Sequence, residues 1–125
     1  MSSRPYIGPK LVLSSGSMAG TGVLHSSPLD TRTTSRISMQ AIWTGTPVGT
    51  FAVEGSLNYD PGLISASPLN SGTWTDVGIS IDSVSGVSGS RIIDMTETSI
   101  PWVRFTYTNT SGTGTLNVYS GSKST

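Results

Sequence analysis

Cysteine is absent from this 125-residue chain, which excludes a disulfide framework, thiolate chemistry and a zinc site of the usual kind. Charge is scarce as well. Seven Lys and Arg balance seven Asp and Glu, and charged residues make up only 11% of the sequence, against roughly 25% in ordinary soluble domains. Zero net charge gives no electrostatic footprint for nucleic acid or for an anionic membrane surface. A single His and seven scattered carboxylates leave little material for acid–base catalysis, so neither an enzyme nor a cofactor or metal is expected. No apolar run approaches the 18 or so residues of a membrane helix. Leu11-Val12-Leu13, interrupted at once by Ser14 to Ser17, is too short for a signal-peptide core. The expectation is a soluble protein made in a cytoplasm.

Helical periodicity is missing too: nowhere do apolar residues recur at i, i+3, i+4 and i+7 across three turns. What is present is Gly, 15 residues of it, about forty Ser and Thr, and 34% hydrophobic residues that include three Trp, four Tyr and two Phe. These aromatics suffice for one thin core, since each buries about 150–250 Å². A surface so poor in charge is weakly protected against self-association, which suits a protein packed in an assembly.

Residues 1–36 and 37–125 differ in character. In the first segment, Pro5 and Pro9 bracket Tyr6-Ile7-Gly8 and push the backbone towards extended geometry. Leu11-Val12-Leu13 adds a short apolar run, and Ser14 through Gly22 reads as loop. This segment is expected to be an extended N-terminal arm, mobile in a lone monomer and serving assembly more than folding. From Ile37 the pattern is β. Met39, Ala41 and Trp43 alternate with polar residues, as do Phe51, Val53 and Leu57, and the two runs read as a hairpin around Thr44 to Gly49. Short strands are expected around Thr73 to Val77, at Ile79 and Ile81, and over Arg91 to Met95, with Ser83 to Ser90 as a flexible connection. The clearest strand follows Pro101, with Val103, Phe105 and Tyr107 on one face and Trp102, Arg104, Thr106 and Thr108 on the other. Ser111 to Gly114 reads as a second hairpin turn, into Leu116 and Val118. Six to eight short strands with turns at intervals of about ten residues predict an all-β fold, an antiparallel β-sandwich of jelly-roll type.

The chemistry-bearing residues mostly have plain explanations. His25 stands in the polar arm with no nucleophile motif beside it. Asp82, Asp94 and Glu97 lack the closely spaced carboxylates of a calcium loop, and Asp60 is the sole carboxylate of its turn. Gly45-Thr46-Pro47 and Gly112-Thr113-Gly114 precede no helix, so neither can cradle a phosphate. Trp43 and Tyr107 lie in phase with their apolar neighbours and belong to the core. Trp102 is out of phase, on the face of Arg104, which makes the pair candidates for an interface or a ligand platform. Tyr6, Ile7, Leu11, Val12 and Leu13 are the corresponding interface candidates in the arm.

The block Trp43-Thr44-Gly45-Thr46-Pro47-Val48-Gly49-Thr50-Phe51-Ala52-Val53 resembles a hairpin of small virion proteins from tailed bacteriophages. Arg104 to Thr108 and Thr110 to Asn117 are similar to the closing strands of the same proteins, and together the blocks cover roughly a fifth of the chain. The resemblance implies a structural part of the particle and no catalytic residues. It leads to a virion protein, a capsid decoration or cement subunit bound to the major capsid protein or other virion proteins, in a homo-oligomer such as a trimer. A tail or neck component is the alternative within that class, and a carbohydrate-binding β-sandwich module the alternative outside it.

Overall fold

The computed structural model describes residues 6–32, 34–61, 72–78, 84–95 and 99–124, and all regular structure among them is β. In chain order the strands are β1 (Tyr6–Met18), β2 (Val23–His25), β3 (Leu29–Asp30), β4 (Thr34–Gly45), β5 (Val48–Ser56), β6 (Thr75–Asp76), β7 (Val84–Ser85), β8 (Gly89–Met95), β9 (Trp102–Ser111) and β10 (Gly114–Ser124). They form an antiparallel β-sandwich. One sheet has the order β1-β10-β4-β8; the other has β2-β9-β5-β6, with β3 also on β9 and β7 also on β5.

Period-two alternation turns one face of each long strand inward. Ile37, Met39 and Ala41 of β4, Leu116 and Val118 of β10, and Ile93 and Met95 of β8 meet Phe51, Val53, Val103, Phe105 and Tyr107 of the opposite sheet. Phe51 is the hub, its ring 5.1–5.2 Å from those of Trp43, Phe105 and Tyr107. Leu57, in phase with Phe51 and Val53, lies just past the end of β5 and is 78% exposed. Ile42 points outward at 38% exposure. Val84 is buried, so the Ser-rich connection expected from residue 83 to 90 holds a short strand. Ile79, Ile81, Asp82 and Glu97 lie outside the described residues, as do the side chains of Tyr6 and Ile7.

Two expectations need correction. The turns at Gly45 and Gly112 are not hairpins, because β4 and β5 belong to different sheets, and so do β9 and β10. Each turn is an arch that carries the chain across the core. The connections β1–β2 and β7–β8 cross in the same way, so four arches stand side by side at one end of the sandwich. Backbone hydrogen bonds tie them: Thr46 N–H to the Thr113 carbonyl at 2.8 Å and Gly86 N–H to the Pro47 carbonyl at 2.8 Å. Buried Asn109 donates from Nδ2 to the Gly20 carbonyl at 2.8 Å and accepts the Tyr107 hydroxyl at 2.7 Å. Gly45 and Gly112 have φ of 89° and 75°, and a Cβ on either would strike the backbone of the neighbouring arch.

The second correction concerns the arm. It is extended, but it is built into the fold: β1 pairs with β10 from Tyr6↔Lys123 to Met18↔Gly114, interrupted by bulges. Val12 and Met18 are buried in the core, and so is Leu29. The ladder that the edge of β10 offers and the buried side chains of Val12 and Met18 order this segment within the monomer.

Two outcomes follow. Deleting residues 1–24 strips β10 of one of its two partners and removes Val12 and Met18 from the core, so the truncated chain should lose its cooperative thermal transition by circular dichroism. Asn109→Ala leaves the buried Tyr107 hydroxyl without its acceptor, which costs about 1–3 kcal/mol and should lower the urea midpoint without changing the slope of the transition.

Candidate interaction surfaces

Two outward faces result, and they differ in chemistry. On the six-stranded sheet, β9 presents Trp102, Arg104, Thr106 and Thr108, with β5 supplying Glu54 opposite Arg104 and Thr50 opposite Thr108. His25 of β2 stands opposite Thr106, and Asp30 of β3 opposite Trp102. Arg104 donates from Nε to Glu54 Oε1 at 2.8 Å, and its NH2 nitrogen lies 2.8 Å from the same oxygen. Thr106 Oγ1 donates to that oxygen at 3.2 Å. The guanidinium of Arg104 also covers the Trp74 ring at 4.5 Å, and that of Arg32 covers the Trp102 ring at 4.9 Å. Tyr59 joins both indoles, 5.4 Å from Trp74 and edge-on 5.0 Å from Trp102.

His25 Nδ1 lies 3.2 Å from Thr106 Oγ1 and 3.8 Å from Glu54 Oε1. Both contacts fall on one ring nitrogen, and Thr106 already gives its proton to Glu54. A nucleophile relay needs the hydroxyl and the carboxylate on opposite nitrogens, so this trio is a hydrogen-bond chain and not that arrangement. Partial burial pulls the His25 pKa below its usual 6.5, the Arg104 charge adds to this, and Glu54 opposes it. Asp30 is held below the usual carboxylate range by its hydrogen bonds from Arg32. Among the described residues no three His, Cys, Asp or Glu gather as a metal-ligand set.

The four-stranded sheet presents a different outer face. Leu11, Tyr119, Gln40 and Ile92 lie in one register row across β1, β10, β4 and β8. Leu11 is 45% exposed, Tyr119 37% and Ile92 63%, with Ile42 near them on β4. A shallow groove of about 260 Å³ runs beside Pro9, Gln40, Ile92 and Tyr119. At the end of this face Asp94 takes bonds from Arg36 at 3.1 Å and Ser38 at 3.0 Å, with Lys123 beside Arg36.

The structure therefore divides the interface candidates. Trp102 and Arg104 come together on one face. Leu11 lies on the other, while Val12 is buried and Leu13 packs against the core. Tyr6 and Ile7 are on β1, at the rung facing Lys123 and Ser122. Sequence reasoning did not find Glu54, whose signal was a lone charge at an outward position of an apolar strand, the same signature as Arg104.

No family model matches this sequence, and no curated protein matches it. Among solved structures it is similar to the PBSX exported protein XepA, with a TM-score of 0.65 and 16% identity over 94% of this chain. The chain spans 37% of that protein's length. A CBM4 structure is similar with a TM-score of 0.47 and 13% identity, covering 94% of this chain and 69% of the other. The CBM22-1 xylan-binding domain from Paenibacillus barcinonensis Xyn10C follows with 0.46 and 10% identity, over 94% and 97%. The likeness to the PBSX exported protein XepA is one of fold.

The depressed His25 pKa has a consequence for stability. The folded state takes up this proton less readily than the unfolded chain, so the contribution is full above pH 6.5 and is lost as pH falls through the folded pKa. The melting temperature of the native protein should fall below pH 6.5 more steeply than that of His25→Gln, measured side by side. Parallel profiles would place the sensitivity elsewhere.

Proposed function

We propose that this chain is a structural protein of a bacteriophage particle, a decoration or cement subunit of the head that docks through the outer face of its four-stranded sheet. The observation that carries the reading is the uncharged row Leu11–Tyr119–Gln40–Ile92, in which Leu11, Tyr119 and Ile92 are exposed and Gln40 is half-buried. Exposed apolar residues aligned in register are the signature of a surface that meets another protein. The resemblance of the arch residues to tailed-phage virion proteins supports the phage setting, and the fold is one that the PBSX exported protein XepA shares.

The function is mechanical. The occupant of the face is the major capsid protein, and each contact is weak, since a single row of four side chains buries little area. Repetition over a symmetric shell, with the subunits themselves associated as a homo-oligomer, turns weak contacts into high avidity. A low surface charge helps, because burying unpaired charges at an interface costs desolvation energy. No turnover and no cofactor enter this role, and the protein reaches the virion from the host cytoplasm.

Electron microscopy of particles carrying the tagged protein should place it on the outer surface of the head; density confined to the neck or tail would overturn the head assignment. Ile92→Asp and Leu11→Asp alter exposed side chains, so stability should change by no more than about 0.5 kcal/mol. Both should nonetheless reduce binding to undecorated capsids by more than about tenfold in a co-sedimentation assay. Undiminished binding by both variants would exclude this face.

A further inference from the structure

The opposite face is chemically unlike a protein-docking surface. Its charges are already paired, Arg104 with Glu54 and Arg32 with Asp30, and partial burial together with Arg104 pushes His25 towards its neutral form. It offers many fixed donors and acceptors, both arginines being held by carboxylates, with Asp76 beside Glu54 and Asp60 near Arg32 as further acidic groups. Trp102 flanks these groups, half-buried with its ring plane held by Tyr59 and Arg32. From Trp102 to Thr108 the strip follows β9 for about 20 Å at the usual strand rise, ending on the paired hydroxyls of Thr108 and Thr50.

We propose that this strip binds a neutral saccharide chain. Each sugar ring has an apolar C–H face and a rim of hydroxyls that both donate and accept, which matches an indole next to pre-paired polar groups. The described contacts of Glu54 all fall on Oε1, so Oε2 is the oxygen assigned to accept from a ligand hydroxyl. Arg104 retains guanidinium N–H donors beyond its two bonds to Glu54, and the ring nitrogen Nε2 of His25 completes the set. An anionic ligand fits poorly, because it would have to take an arginine from its carboxylate and leave that carboxylate facing the ligand. The side chains are locked before binding: Arg104 is held by a carboxylate and an indole, Glu54 by Arg104 and Thr106. Little rotamer freedom remains to be lost on association. The site is independent of capsid docking, since it lies on the other sheet.

The test titrates the intact protein with cellohexaose, xylohexaose, maltohexaose and mannohexaose, and with oligogalacturonate as the anionic comparison. Isothermal calorimetry and tryptophan fluorescence report binding. At least one neutral hexasaccharide should bind with a dissociation constant of about 1 mM or tighter and perturb the fluorescence. Trp102→Ala, checked for an unchanged circular dichroism spectrum, should weaken that binding by at least about tenfold. Glu54→Gln keeps the shape but frees the Arg104 charge, so it should weaken the neutral ligand and strengthen oligogalacturonate. Silence towards all four neutral oligomers, a native preference for oligogalacturonate, or binding indifferent to both substitutions would overturn the proposal. None of these results bears on capsid co-sedimentation, which reads the opposite face.

Discussion

Four chain crossings stacked at one end of the sandwich set the terms for everything else. A hairpin keeps its two strands in one sheet, whereas an arch sends them to opposite sheets with their apolar faces towards each other. Here β1–β2, β9–β10, β4–β5 and β7–β8 all cross at the same end. Neighbouring arches must nest within hydrogen-bond distance, which is why Gly45 and Gly112 take conformations that other residues resist and why Gly114 leaves room for Pro47. Buried Asn109 fastens the first two arches through Gly20 and Tyr107. Trp43 fastens the last two, its indole N–H donating to the Val87 carbonyl at 2.7 Å.

Because arches pair strands face to face, each sheet spends one side on the core and leaves the other for the exterior. The two exteriors then receive what alternation assigns them. Positions between the core residues of β4, β8 and β10 are Gln40, Ile42, Ile92 and Tyr119; those of β5 and β9 are Glu54, Trp102, Arg104, Thr106 and Thr108. One face is thus largely apolar with charge at its end, the other aromatic with its arginines held by carboxylates. A chain with so few ionisable residues has concentrated seven of them, counting His25, Asp60 near Arg32 and Asp76 opposite Glu54, around one face.

The strands themselves were legible in the sequence, because alternation at Met39/Ala41, Phe51/Val53, Val103/Phe105/Tyr107 and Leu116/Val118 reports burial directly. Partner choice was not. Gly45-Thr46-Pro47 and Ser111-Gly112-Thr113-Gly114 suit a hairpin and an arch equally, since both need glycine at positive φ, and the choice is made by strands distant in sequence. The outward parity of Trp102 and Arg104 could be read from β9 alone, but Glu54 becomes their neighbour only once β5 is laid against β9. Likewise a division after residue 36 follows composition, while Val12, Met18 and Leu29 earn their place in the core through pairings with β10 and β9 that no local pattern announces.

The rung joining Tyr6 to Lys123 also governs how the molecule bears force. The two ends of the described chain leave side by side, at the end of the sandwich away from the arches. Tension applied between them acts along the hydrogen bonds of an antiparallel pair, which lie across the strands. The ladder is loaded one rung at a time and peels like a zipper. A load spread over a sheet face meets all the strands at once. Such a protein is strong as a clamp pressed flat against a surface and weak as a tether held by its ends.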